Sequence, residues 1–267
     1  ADDYPALPVM PGAAGTVDAH DLAQAVGQVS IAASRDDTLP LLTSVQMEVD
    51  GESLTLMATD RYRLAVRKMT WTPQNAGLST HALLKARTLS DVAKSLTSAG
   101  DVTLALTEPG SSSSSLIGFE AGGRRTTSLL TDGDYPPVLR LFPETTTIHA
   151  TVSREELMDA VRRVSLVADR STPIHMAFTD GNLALNAGQG DDAQASEQLM
   201  TYVEGDDITT AFNPGYLLDG LGAITQPYVM FDFTHPSKPA VLTGVSAIGG
   251  EEDASFRYLI MPIRFGA

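Results

Sequence analysis

The sequence predicts an α+β fold made of one domain written twice, each copy two helices packed on mostly antiparallel sheet. Three observations predict it. Thr16–Ser30 lines up residue for residue with Thr151–Ser165, and later pieces recur too: Leu54-Thr55-Leu56 as Leu183-Ala184-Leu185, Leu89-Ser90-Asp91 as Leu217-Leu218-Asp219, and Thr107-Glu108-Pro109 as Thr234-His235-Pro236. A period that long is a domain, too long for a solenoid unit. In both copies apolar residues change from helical to alternating spacing in the same order. The chain of 267 residues also has the length of two ordinary domains.

The first helix of each copy is read from Leu22, Val26 and Val29, and from Leu157, Val161 and Val164, all at i, i+4 and i+7. Asp18 and Ser153 are the predicted N-caps, and Glu156 completes a capping box with Ser153. Ala25, Ala32 and Ala33 form a small-residue stripe that lets the helix lie close on a sheet. Strands follow. Val45–Val49 alternates, Asp50-Gly51 turns the chain, and Leu54–Thr59 and Arg63–Arg67 continue. The second copy has His175–Phe178, a turn at Asp180-Gly181-Asn182, and Leu183–Asn186. A second helix is expected from about Ala86 to Ser98 and from about Pro214 to Ile224, with Pro214 in the first turn, where its missing N–H costs nothing. Closing strands are Val102–Leu106, Leu116–Phe119 and Thr126–Leu130, then Val229–Phe233, Ala240–Leu242 and Phe256–Ile260. The segments Pro109–Ser115, Gly188–Asp192 and Gly249–Asp253 read as solvated loops.

Asp3-Tyr4-Pro5 repeats as Asp134-Tyr135-Pro136, so residues 1–12 read as the end of a preceding copy. The expected organisation is that remnant, then domains at 13–138 and 139–267. The simplest reading is a three-copy protein of which the first copy is missing here.

Composition narrows the chemistry. No cysteine occurs, which excludes disulfides, thiolate metal sites and Cys nucleophiles, and suits a cytoplasmic protein. Net charge is −15, which argues against a uniformly basic nucleic-acid binder but leaves room for a local patch. No apolar run is long enough for a membrane helix, and the N-terminus lacks signal-peptide character. The histidines His20, His81, His149, His175 and His235 fit no metal-ligand spacing, and neither a phosphate-binding Gly-Lys-Ser/Thr nor a Gly-x-Ser-x-Gly occurs. Asp132 and Asp134 read as a turn. No catalytic set, metal site or cofactor is expected.

Three motifs carry a family resemblance. Ala58-Thr59-Asp60-Arg61-Tyr62-Arg63-Leu64-Ala65-Val66 resembles a strand-loop signature, Asp132–Pro136 with Leu141-Phe142-Pro143 resembles an interdomain connector, and Tyr258–Arg264 resembles a C-terminal strand and tail. Together, on a duplicated helix–sheet unit, they resemble the second and third domains of the bacterial DNA polymerase III β subunit, the sliding clamps. The resemblance implies the DNA-clamp fold lacking its first domain, and a head-to-tail ring of two subunits in the full-length protein. It implies a processivity factor, not an enzyme. The implied partners are replicative and repair DNA polymerases, the clamp loader, other proteins with clamp-binding motifs, and duplex DNA held without sequence preference. Peptide-like inhibitors of the groove are a further implied ligand class. The tail Arg264-Phe265-Gly266-Ala267 departs from the family, which usually ends in an aliphatic residue soon after the Arg.

The resemblance also implies a peptide groove between the two domains. Its positions here are Leu42, Thr59, Arg61, Tyr62, Arg63, Leu64, Pro136, Arg140, Leu141, Asn213, Tyr216, Leu259, Met261, Pro262, Ile263 and Arg264. The ligands it implies are short motifs of the type Gln-Leu-x-Leu-Phe. From the residues alone, Leu259, Met261 and Ile263 read as core strand. A DNA-facing set is read from Arg35, Lys85, Arg87, Lys94, Arg154, Arg162, Arg163 and Arg170, on or beside the helices, with ordinary solvated helix faces as the other reading. Acidic neighbours Asp21, Asp91, Glu155, Glu156 and Asp159 break the stripe. The competing class is a hydrolase or sugar-active enzyme on the same scaffold, and the lack of an acid–base pattern counts against it. A scaffold with no peptide site is the other alternative.

Overall fold

The structure, a computed structural model, describes residues 5–96, 100–107, 116–167, 172–188 and 194–264. Two compact units emerge: residues 1–60 with 66–136, and residues 61–65 with 137–267.

The first unit starts with strand β1 (Ala13–Asp18), which runs straight into helix α1 (Ala19–Ser30). Asp18 caps that helix, its Oδ1 accepting from the Asp21 N–H at 3.0 Å. Then come β2 (Ser44–Asp50), β3 (Ser53–Thr59), β4 (Arg63–Thr70), β5 (Thr72–Pro73) and β6 (Ser79–Lys85). Helix α2 (Ala86–Leu96), β7 (Asp101–Ala105), β8 (Leu116–Ala121) and β9 (Arg124–Leu129) complete it. One sheet has the order β5-β1-β7-β8-β9, and β4-β3-β2-β6 are neighbours in a second. Helices α1 and α2 pack on each other. They bury Leu22, Val26 and Val29 from one and Leu89, Val92 and Leu96 from the other.

The second unit repeats this plan. A 3-10 turn at Val138–Leu141 leads to β10 (Ile148–Ser153) and α3 (Arg154–Ser165). There follow β11 (Ile174–Thr179), β12 (Asn182–Ala187), β13 (Ala195–Met200), β14 (Tyr202–Glu204) and β15 (Ile208–Phe212). Helix α4 (Pro214–Ala223), β16 (Tyr228–Phe233), β17 (Ala240–Val245) and β18 (Glu252–Ile260) close the unit. Its strands neighbour as β14-β10-β16-β17-β18 and β13-β12-β11-β15. These are the two orders of the first unit, strand for strand, so the duplication read from Thr16–Ser30 and Thr151–Ser165 is a duplication of topology. The strand pairings are antiparallel, as in β10–β16 and β11–β12.

Several boundaries differ from the sequence reading. The stretches before the first helices are strands β1 and β10, which end at the caps Asp18 and Ser153, the residues immediately before the helices. Ser153 Oγ accepts from the Glu156 N–H at 3.4 Å, which is the hydroxyl half of the predicted box. Helix α1 stops at Ser30, so Ala32 and Ala33 are buried in the following turn and not on the helix. Strand β18 begins at Glu252, so Glu252 and Asp253 belong to strand and not to a loop. Residues 97–99, 108–115 and 189–193 carry parts of the expected helix end and loops and lie outside the described residues.

The core of the second unit centres on Phe178, Phe231 and Phe233, whose ring centroids lie 5.4 to 6.0 Å apart. Between the two strand phenylalanines Asp232 points to the opposite sheet face. Burial pushes its carboxyl up to about 7, against the lowering effect of the His149 hydrogen bond. Among the described residues no helix is long and apolar enough to cross a membrane.

Candidate functional site

The second unit gathers one aromatic, partly exposed face from three stretches of chain. The first is the short segment 61–65. Arg61 sits at φ +80°, the one non-glycine residue with positive φ among those described. Such a conformation costs about 1–3 kcal/mol for a residue with a Cβ, and it persists where surrounding structure fixes it. It reverses the chain so that Tyr62 stands out, 59% exposed, while Leu64 is buried.

The second stretch is the start of α4. Asn213 is its N-cap, with Oδ1 accepting from the Tyr216 N–H at 3.0 Å. Pro214 occupies the first turn, as its sequence position predicts. Tyr216 therefore projects from a capped, fixed turn. Its ring stacks on Tyr62, with centroids 6.0 Å apart and planes 21° off parallel. The Arg63 guanidinium carbon lies 4.3 Å from the Tyr216 ring centroid. Arg63 Nη1 donates to Asp219 Oδ2 at 2.5 Å. The Arg63 side chain is 10% exposed and that of Asp219 48%, so the pair is part-buried at the arginine and screened by solvent at the carboxylate.

The third stretch leaves β18. Leu259 is buried in the strand. Past Ile260 the chain departs from the sheet, and the Met261 N–H donates to the Tyr62 carbonyl at 2.9 Å. The Ile263 N–H donates to the Ala211 carbonyl at 2.8 Å. Met261 is 40% exposed, with Pro262 and Ile263 half-buried and Arg264 exposed beside it. Elsewhere in the unit the 3-10 turn exposes Leu139, Arg140 and Leu141. Arg257 lies over the Phe142 ring at 4.0 Å, and burial holds its guanidinium below its ordinary value.

The expected groove set thus divides. Tyr62, Tyr216 and Met261 are joined by the ring stack and a backbone hydrogen bond, with Pro262 and Ile263 next in the chain; Arg63 and Asn213 hold the turn, and Arg61, Arg140 and Arg264 are exposed in the same unit. Leu64 and Leu259 lie beneath the surface, so their part is support and not contact. Leu42, Thr59 and Pro136 belong to the first unit. Phe265, Gly266 and Ala267 lie outside the described residues.

Three contributors escaped the sequence reading. Asp219 follows Tyr216 by one helical turn, a spacing that brings both to one helix face and was a usable signal. Tyr258 donates from Oη to the Tyr216 carbonyl at 2.6 Å, locking the same turn from below. Gly220 has no Cβ because the Tyr258 ring occupies the place: a Cβ there would come within 2.3 Å of a ring carbon.

The DNA-facing set is uneven. Arg87 and Lys94 are exposed on α2, Arg35 is exposed beyond α1, and Arg162 and Arg163 are exposed on α3. Arg163 donates from Nε and Nη2 to the two carboxylate oxygens of Glu197, at 2.5 and 2.8 Å, and the pairing raises Arg163 and lowers Glu197 from their ordinary values. Arg162 reaches Asp159 at 3.3 Å. Two members are engaged in bonds within the fold. Arg154 donates to the carbonyls of Gln226 and Leu221 at 3.1 and 3.3 Å, so it fixes the end of α4 and is not presented outward. Lys85 is the last residue of β6 and donates to Thr43 Oγ1 at 2.7 Å. Arg170 lies outside the described residues.

Comparison with known proteins gives one answer along the whole chain. Residues 16–137 match the central domain of the DNA polymerase III beta subunit, and residues 139–264 match its C-terminal domain. A beta sliding clamp of Streptomyces coelicolor is 51% identical over 263 residues, covering 98% of this chain and 70% of the relative. The beta sliding clamp homolog GriR of Streptomyces muensis is 43% identical, over 99% of this chain and 70% of the relative. The crystal structure of the DNA polymerase sliding clamp of Bacillus subtilis superposes with a TM-score of 0.89 at 25% identity, covering 99% of this chain and 68% of that one. None of these relatives is a hydrolase. With both domain families matched and half of its residues shared with a clamp, the chain belongs to the DNA polymerase III beta subunit family, the non-enzymatic sliding clamps.

Proposed function

We propose that the face built on Tyr62, Tyr216 and Met261 binds short apolar peptide motifs of replication and repair proteins. The observation that carries this reading is the fixed stack: Tyr62 on Tyr216, with Arg63 behind it and the Met261 backbone tied to Tyr62. Exposed aromatic surface held rigid loses little side-chain entropy on binding. Met261 adds an adaptable surface that suits several partners. Burying two apolar peptide side chains contributes roughly 3–6 kcal/mol. Backbone hydrogen bonds add to this and peptide ordering subtracts. The affinity expected of the reading is about 1 μM, or about −8 kcal/mol, so contacts beyond the two side chains have to contribute.

The full site set read from sequence, including Leu42, Thr59 and Pro136, is part of this proposal, as is its division into domains at 13–138 and 139–267. The partners proposed are replicative and repair polymerases, the clamp loader and other proteins with the motif, with peptide-like inhibitors as competitors. The chain works in the cytoplasm as part of a ring around duplex DNA, touching phosphates weakly and without sequence preference. Weak contacts suit sliding, since tight ones would stop it. Arg35, Arg87, Lys94, Arg162, Arg163 and Arg170 are the proposed DNA-facing groups that remain once Arg154 and Lys85 are assigned to structural bonds.

The test is fluorescence anisotropy with a labelled Gln-Leu-x-Leu-Phe peptide. Saturable binding near micromolar concentration, displaced by unlabelled peptide, supports the reading. No binding at concentrations a hundredfold higher sinks it and favours a scaffold without a peptide site.

A further inference from the structure

We propose that His149, Asp232 and Glu252, on one face of the second unit's sheet, form a binding site for a divalent transition-metal ion of the zinc class. Each offers one ligand atom, and the three atoms lie within 4.8 Å of one another. No part of the peptide face contributes to it.

The sheet register builds the site. His149 on β10 stands directly opposite Asp232 on β16, and opposite Glu204 on β14. Residues directly opposed in an antiparallel pair share a sheet face, so three adjacent strands carry a row of Glu204, His149 and Asp232. Glu252 opens β18 at the edge of the same cluster. A cleft of about 420 Å³ opens over it, lined among others by His149, Tyr202, Glu204, Glu251 and Glu252.

Two features separate this cluster from a solvated acidic patch. Asp232 is buried, 6% exposed, and buried carboxylates need a proton donor or a cation. Its partner is the His149 ring, whose Nδ1 lies 2.5 Å from Asp232 Oδ1. Glu252 is held too, its Oε2 accepting from the hydroxyl of the buried Thr243 at 2.9 Å. Ligands oriented by such partners are what metal sites require. Secondly, the charge is one-sided. Two carboxylates and one imidazole converge, Glu204 and Glu251 line the cleft beside them, and among the described residues that line it none is Lys or Arg.

The ligand set selects the ion. One imidazole nitrogen and two carboxylate oxygens suit zinc, cobalt or nickel, and fall short of the all-oxygen octahedron magnesium prefers. A zinc ion sits about 2.1 Å from each donor, so tetrahedral donors stand roughly 3.4 Å apart. The ion takes the place of the hydrogen between Nδ1 and Oδ1, and those two atoms part by about 1 Å. The neutral imidazole then carries its proton on Nε2. Glu252 rotates inward from its exposed position, and water or Glu204 completes the shell. The ion would tie β10, β16 and the start of β18 together.

The experiment titrates the 267-residue chain with zinc chloride, and separately with magnesium chloride, by calorimetry at neutral pH after EDTA treatment. One zinc per chain is expected, with no competition from magnesium. The melting temperature should rise with zinc and fall back with EDTA. His149→Ala and Glu252→Gln should each weaken zinc by roughly tenfold or more. Affinity for the Gln-Leu-x-Leu-Phe peptide should not change in either variant. Zinc binding equal in wild type and both variants would overturn the proposal, as would no zinc binding at millimolar concentration. If His149→Ala fails to fold, Glu252→Gln decides, because that side chain is exposed at the end of its strand.

Discussion

The Arg63 guanidinium lies over the Tyr216 ring at 4.3 Å and is held there by Asp219, whose Oδ2 accepts from it at 2.5 Å. Arg63 is thus part of the support for the aromatic surface and not a rim charge waiting for a ligand. Asp219→Ala should free the guanidinium and loosen Tyr216. We expect peptide affinity to fall by about 1 kcal/mol, the scale of a partly desolvated cation–π contact, with little change in melting temperature. Arg63→Lys should lose nearly as much, since an ammonium cannot both stack and reach the carboxylate as a planar fork does. Anisotropy titration of both variants checks this, and wild-type affinity in both would detach Asp219 from the site.

Gly220→Ala places a methyl where the Tyr258 ring stands, within 2.3 Å of one carbon and 2.4 Å of another. A rigid ring cannot yield as a flexible chain end can. We expect a stability loss of about 1–3 kcal/mol by denaturant titration, the range for overpacking. The hydrogen bond from Tyr258 Oη to the Tyr216 carbonyl should be disturbed, so peptide binding weakens as well. Gly222→Ala, two residues on, has its nearest neighbour at 3.8 Å and should cost much less.

Arg61→Gly should relieve the left-handed backbone at φ +80°. The gain is offset by the extra freedom of glycine in the unfolded chain, so net stability should change by less than about 1 kcal/mol. Retention of the fold with unchanged peptide affinity would mean that Arg61 serves to turn the chain. A loss of affinity at unchanged stability would mean that its charge meets the ligand.

The helix-face cations make a salt-dependent prediction. With a net charge of −15 only a local patch attracts phosphates. Weak duplex binding by Arg162, Arg163 and their neighbours should vanish at moderate salt, each phosphate contact adding about one unit to the salt slope. The double substitution Arg162→Glu, Arg163→Glu should abolish it and leave the peptide affinity unchanged. Arg154→Glu should instead lower stability, because Arg154 donates to the carbonyls of Gln226 and Leu221. Tight, sequence-selective binding that survives salt would contradict the assignment.

Much of the fold was legible because its signals are local. Leu22, Val26 and Val29 at helical spacing, with Asp18 before them, define α1 almost to the residue. The repeat then carried the second copy. Among the strands that escaped, two lacked a usable pattern. In β13 Ala195, Glu197 and Leu199 alternate with more exposed neighbours, and Glu197 is drawn to Arg163, so alternation of hydrophobicity fails there. β14 is three residues long, too short for any periodicity.

The site was legible only in part for a similar reason. Tyr62, Tyr216 and Met261 were named through family motifs, but which leucines support and which touch is decided by burial. Leu259 and Met261 differ by two residues along one run, yet the strand ends at Ile260 and only Met261 emerges. The His149, Asp232 and Glu252 cluster had no sequence signal at all, because its members are brought together by strand register and share no motif spacing.

The most direct test of the central reading is calorimetry of the Gln-Leu-x-Leu-Phe peptide against wild type, Tyr216→Ala and Met261→Ala. The stacked face predicts near-micromolar binding by wild type and a loss of roughly 1–3 kcal/mol in each variant, the scale for removing a well-packed anchor. Wild-type affinity in both variants would contradict it and place the peptide site elsewhere on the molecule.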